Sequence, residues 1–221
     1  MGALASCYQG ISTGDNPRIA SQFWEFPSIS NDWSMFQTPC NKTQFYGGRE
    51  SVIRKDFLSQ DWDGGAIRGH GAWNRKGVAI ARIGSLAACL YDGYHYSNTL
   101  PVIIPKNESD LPAIWCFAES QDFTEKVREV NQALSVDNGY IEKISFDLKH
   151  WRKVAGEKYP NGLPAPFSSD PTQWLFRGHP HRSDNPLQVA VLRLLCYQWP
   201  RQTGASFPDC PSLAADGLDR H

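Results

Sequence analysis

Short apolar runs bounded by glycine and proline dominate the first half of the chain. Ser51-Val52-Ile53, Gly77-Val78-Ala79-Ile80-Ala81, Leu86-Ala87-Ala88-Cys89-Leu90-Tyr91 and Leu100-Pro101-Val102-Ile103-Ile104-Pro105 are each too short for a helix. Their length and flanking breakers predict strands of an irregular, twisted sheet. The pattern changes near residue 110. Asp110 stands where an N-cap belongs, Pro112 is tolerated in a first turn, and Ile114, Trp115 and Phe117 follow. After a polar break at Ser120-Gln121-Asp122, Phe123, Val127, Val130 and Leu134 recur at helical spacing, the stripe of a second, amphipathic helix. Tyr140 to Phe146 alternates in the manner of a strand. Asp147 is placed to cap a short helix running through Lys158.

Pro160, Pro164, Pro166 and Pro171 then mark an extended connector. A last helix is predicted from Pro186, with Leu187, Val191, Leu194 and Leu195 on its apolar face, stopping before Trp199-Pro200. These elements define an α+β fold: a twisted, β-rich region with paired amphipathic helices over residues 1–148, and a helical, proline-rich extension over 149–221 packed on it.

With 221 residues, 41% of them hydrophobic, the chain is able to bury a core and is not a disordered polypeptide. The net charge of -1 argues against a protein that is basic throughout. That average conceals segregation. Residues 42–82 hold eight Lys or Arg against four Asp or Glu, residues 83–147 four against ten, and residues 148–182 six against two. Two basic segments therefore flank an acidic one. Six cysteines form no CxxC pair and have no histidine at finger spacing, and His179-Pro180-His181 lacks a nearby third ligand, so no metal site is assigned. No apolar run approaches a membrane span and no leader signature opens the chain, so the expected compartment is the cytoplasm.

The chemistry of transfer and hydrolysis is missing. An amino-methyltransferase holds its extrahelical base with an Asn/Asp-Pro-Pro-aromatic loop, and this chain contains no Pro-Pro dipeptide. Gly47-Gly48 and Gly64-Gly65 sit in polar turns and open no donor-binding helix. GxSxG, HExxH and Walker A motifs are likewise absent. What remains reads as a binder.

The first basic segment interleaves Lys42, Arg49, Arg54, Lys55, Arg68, Arg75, Lys76 and Arg82 with Tyr46, Trp62, His70, Trp73 and glycines. Basic side chains neutralise phosphates, Arg, Asn and Gln reach base edges, and glycine turns let a loop enter a groove. The same composition also suits a twisted sheet with a solvated charged face. The polar segment from Gln9 to Arg18 is open to two readings too, a phosphate-facing loop or a plain turn.

A resemblance separates these readings. Gln9-Gly10-Ile11-Ser12-Thr13-Gly14-Asp15-Asn16-Pro17-Arg18 with Phe23-Trp24-Glu25, then Phe45-Tyr46-Gly47-Gly48-Arg49-Glu50, Gly69-His70-Gly71-Ala72-Trp73 and Leu111-Pro112-Ala113-Ile114-Trp115 resemble the target-recognition region of large adenine-specific DNA methyltransferases. The family is that of type IIG restriction-modification and BREX phage-defence enzymes. Glu157-Lys158-Tyr159-Pro160-Asn161-Gly162-Leu163-Pro164, Asp170-Pro171-Thr172-Gln173-Trp174-Leu175-Phe176 and Pro186-Leu187-Gln188-Val189-Ala190 extend the similarity over nearly the whole chain. The order of elements is also similar to the recognition domains of type I restriction specificity subunits.

The resemblance implies sequence-specific binding of double-stranded DNA by loops at 9–18, 45–55 and 68–76. The candidate DNA contacts are Gln9, Ser12, Thr13, Asn16, Arg18, Tyr46, Arg49, Arg54, Lys55, Arg68, His70, Trp73, Arg75 and Lys76. It implies no catalytic residue in this chain. S-adenosylmethionine would be held by a separate catalytic domain or subunit, the expected partner in cis or in trans. The family's catalytic domain is not part of these 221 residues, which fits a fragment, a split-gene subunit or a gene remnant. The competing reading is a protein-interaction module of a defence complex, docking through the acidic helices and the connector without reading DNA.

Overall fold

A computed structural model describes residues 1–59, 64–166, 171–176 and 185–195. In chain order the elements are β1 (Ala5–Tyr8), α1 (Asn16–Ile19), β2 (Ala20–Gln22), β3 (Trp33–Gln37), β4 (Ser51–Arg54), β5 (Gly77–Ile80), β6 (Ala88–Tyr91), β7 (His95–Tyr96), β8 (Val102–Pro105), α2 (Leu111–Ala118), α3 (Gln121–Val130), α4 (Asn138–Lys143), α5 (Leu148–Lys158) and α6 (Pro186–Leu194). Short 3-10 turns at Phe23–Glu25, Lys55–Ser59, Glu108–Asp110 and Pro171–Phe176 join them. The fold is α+β, with two open four-stranded sheets ordered β1-β8-β5-β6 and β2-β4-β3-β7.

The apolar runs form strands because the first sheet is covered on both faces. Val78, Ile80, Ala88, Leu90 and Ile103 face one cluster with the helices, while Ala79, Cys89, Tyr91, Val102 and Ile104 face another. Alternation is therefore hidden, and a strand buried on both sides reads as a continuous apolar run. α2 packs across β5 and against α5, and its residues Ala113 to Ala118 are buried without interruption. Trp174, Leu175, Val189 and Leu192 join the same helical-side cluster, so the described segments at 171–176 and 185–195 contribute to the main core. Among the described residues, no helix is long and apolar enough to cross a membrane.

Four expectations change. Residues 140–146 contribute not a strand but the end of α4, which stops at Lys143 with Ile144 extended; Ile141 and Ile144 are buried, three apart, while Tyr140 is exposed. α3 ends at Val130, where Asn131 turns extended and its Oδ1 accepts the Ala133 amide at 2.7 Å, leaving Val130 and Leu134 outside the core. Asp110 caps nothing with its side chain: Asn107 caps the preceding 3-10 turn, and the buried Asp110 carboxylate instead accepts Arg152 at 2.6 to 2.8 Å. α6 buries Val189 and Leu192 and exposes Leu187 and Leu194, so its inward face is not the predicted one. Asp147 does cap α5, accepting the His150 amide at 3.0 Å.

Candidate nucleic-acid interface

The second sheet carries a small apolar base of its own. Ile11, Ile19, Phe36 and Ile53 are buried together, with Phe57, Leu58, Ile67 and Trp73 packed around them. Three loops are thereby seated on one sheet face: 9–19, 55–59 and 64–73. Backbone pairing ties them. Ile11 donates to the Tyr96 carbonyl at 2.7 Å, and Ser12 and Ala66 exchange a pair of bonds at 2.9 and 2.8 Å. Two glycines permit this closeness: a Cβ on Gly10 would lie 2.2 Å from the Tyr96 oxygen, and Gly14 combines φ +70 with a Gly64 carbonyl 2.5 Å from where its Cβ would be.

Basic side chains cluster on this base. Arg18 and Arg54 both stand over the Phe57 ring, at 5.7 and 5.1 Å. Arg68 donates to Gln9 Oε1 at 3.2 Å, so the first and third loops share a polar edge. His70 and His95 flank Trp73 with ring centroids at 4.3 and 4.6 Å, and Ser34 Oγ lies 2.8 Å from His95 Nδ1. Burial, then the nearby Lys55 and His70 side chains, hold the His95 imidazole below its ordinary range. Arg54 is the partly neutralised member, paired with Asp56 at 2.5 Å. Among the described residues, no carboxylate pairs with Arg18, Lys55 or Arg68. Such a cluster can attract a polyanion, with Trp73 and Phe57 fixing where the cations stand.

The remaining candidates fall elsewhere. Ser12 is half-buried and held by its backbone, while Thr13 is buried and donates to Asn16 Oδ1, which stays at the exposed start of α1. Arg75 is exposed but spans to the Gly71 and Pro105 carbonyls at 3.1 and 3.2 Å, and Lys76 stands beside Glu108 and Pro112, away from the Phe57 base.

Tyr46 and Arg49 leave the set altogether. Arg49 is 1% exposed and pairs with Asp92 at 2.6 Å, donates to the Leu90 carbonyl at 2.8 Å, and stands over both the Tyr46 and Trp174 rings at 4.8 and 4.5 Å. Tyr46 is buried as well and donates to the Pro164 carbonyl. A side chain with no exposed surface cannot meet a phosphate, so the middle loop contributes only its 54–55 end to the interface. Its 46–49 end instead clamps the proline-rich connector.

Ser34, Phe57 and His95 are the members that residue patterns missed. His95 arrives through the parallel pairing of β7 with β3, which no local spacing signals. Phe57 follows Arg54 by three residues, a spacing that could have suggested the stacked pair. Trp62 and the His179-Pro180-His181 segment lie outside the described residues. No model of a known protein family matches the chain, and no curated protein matches it.

Proposed function

We propose that this chain is the sequence-reading domain of an adenine-N6 DNA methyltransferase of a restriction-modification or phage-defence system. It binds double-stranded DNA through loops 9–19, 54–59 and 64–73, and methyl transfer belongs to a separate, S-adenosylmethionine-binding domain or subunit. The observation that carries this reading is one of placement. Arg18 and Arg54 stand over the Phe57 ring, Arg68 bonds Gln9 of the first loop, and Lys55 acts electrostatically on His95 beside Trp73, so cations far apart in sequence gather around one apolar base. Cations with no described carboxylate partner are suited to phosphates, and the Gln9 side chain beside Arg68 is of the amide type that reads base edges.

The test is fluorescence anisotropy of the full chain on a labelled random duplex pool across a salt series, followed by selection of bound sequences. Log affinity should fall linearly with log salt at a slope of about -0.9 per phosphate contacted. Arg18→Ala, Lys55→Ala and Arg68→Ala should each make that slope shallower by about one, and Arg75→Ala should leave it unchanged. Equal slopes for all four variants would remove DNA reading from these loops.

One observation favours the second reading, an interaction module. Ile83, Val130 and Leu134 are 53%, 43% and 73% exposed and lie close together, since Ile83 pairs with Ser135 and Arg128 binds the carbonyls of both Gly84 and Ala133. Absence of any DNA shift at low salt, with partner capture lost in Leu134→Asp, would establish that reading instead.

A further inference from the structure

A pair of cysteines lies in the cluster between the two sheets, which Trp73 separates from the apolar base of the proposed DNA face. Loop residues 38–44 lie along β6: the Gln44 amide donates to the Ala88 carbonyl at 3.0 Å, and the Ala88 amide to Thr43 Oγ1 at 3.1 Å. That pairing sets Cys40 against β6 next to Cys89, and both residues belong to one buried cluster. Cys40 Sγ is also 3.8 Å from the Ala88 oxygen. Gln37 reaches in from β3 and donates through Nε2 to Cys89 Sγ at 3.3 Å as well as to the Gly47 and Leu90 carbonyls.

The two sulfurs differ in access. Cys89 is fully buried, whereas Cys40 is 7% exposed and lines an open cleft of about 430 Å³ together with Trp24, Lys42, Gln44 and Glu50. We propose that Cys40 and Cys89 form a peroxide-responsive dithiol, in which Cys40 is the oxidised thiol and Cys89 the resolving one. In the first step Cys40 sulfur attacks the terminal oxygen of a hydroperoxide. The O–O bond breaks, Cys40 becomes a sulfenic acid, and the leaving oxygen departs as alcohol or water with the thiol proton. In the second step Cys89 sulfur attacks Cys40 sulfur, the S–O bond breaks, water leaves with the Cys89 proton, and a disulfide joins the loop to β6.

Electrostatics support the order. The neighbouring Cys89 side chain and the backbone amides of Cys40 and Lys42 draw the Cys40 thiol below its usual range, while burial pushes Cys116 up to about 11 and Cys7 higher still. Gln37 continues to donate to Cys89 sulfur in either state, so the pair is supported before and after oxidation.

This inference is independent of DNA binding, and its test needs none. The reduced full chain is exposed to hydrogen peroxide, alkylated in denaturant, and mapped by mass spectrometry. A Cys40–Cys89 linked peptide, two hydrogens lighter than the free pair, should form about tenfold faster than oxidation at Cys7 or Cys116. In Cys89→Ser, Cys40 should be captured as a sulfenic acid by a 1,3-dicarbonyl reagent. The proposal is overturned if Cys40 stays reduced while Cys7 or Cys116 oxidises, if Cys40 links to Cys196 or Cys210 instead, or if Cys89→Ser yields no captured sulfenic acid.

Discussion

Replacing Arg49 by alanine should destabilise the protein's centre without touching its DNA face. The guanidinium makes two charge-assisted bonds, to Asp92 at 2.6 Å and to the Leu90 carbonyl at 2.8 Å, each worth about 1.5–3 kcal/mol. It also lies over two aromatic rings out of water, where cation–π attraction reaches about 2 kcal/mol. Three features limit the loss. Asp92 is 25% exposed and regains water, Leu90 keeps its bond from Gln37 at 3.0 Å, and Arg49 Nε has no partner to lose. The expected cost is therefore about 3–4 kcal/mol, within the range for breaking one side of a buried ion pair. With a urea slope of about 2 kcal/mol/M, the midpoint should drop by about 1.5–2 M. Arg49→Lys should lose roughly half as much, because a single ammonium cannot satisfy both acceptors in the geometry of a planar fork. Arg68→Ala, on an exposed side chain, should stay within about 0.5 kcal/mol of the parent. A midpoint shift under about 0.5 M for Arg49→Ala, accompanied by weakened DNA binding, would refute the clamp and return Arg49 to the interface.

Two further outcomes follow from buried titrating groups. His95 is held below its ordinary value of 6.5 in the fold, so the unfolded chain takes up its proton first; stability should fall as pH drops below 6.5, and His95→Asn should flatten that slope in urea titrations at stepped pH. Burial, the leading cause, raises the Glu50 carboxyl above its ordinary 4.5, so its contribution is fully present below that value and lost as pH rises through the higher folded value. Glu50→Gln should accordingly raise the melting temperature at pH 7 and leave it unchanged near pH 3, and a lowered melting temperature at pH 7 would show that the ionised carboxylate stabilises the fold.

How far the sequence could be read depended on whether a signal was local. The strands at 77–80 and 88–91 announced themselves because burial on both faces writes an uninterrupted apolar run, and α5 because its cap and its stripe lie within one turn of each other. Residues 140–146 misled because Tyr140, Ile144 and Phe146 fit a loose alternation, whereas the positions actually buried, Ile141 and Ile144, stand three apart, and only the neighbours they pack against select them. The site failed in the same way. Arg49 and Arg68 are equivalent letters in one basic segment, yet Asp92, which neutralises the first, lies 43 residues away, and the Gln9 edge that holds the second lies 59 residues away. Local charge density records how many cations a segment holds and nothing about which of them is later matched by an anion. What distinguishes them is long-range closure: the pairing of Ser12 with Ala66 brings the first loop onto the third, while β6 brings Asp92 to Arg49. A basic segment is thus divided by the fold into a structural half and an available half. It is the available members, Lys55 and Arg68, joined by Arg18 from the first loop, whose removal should change the salt slope while leaving the urea midpoint where it was.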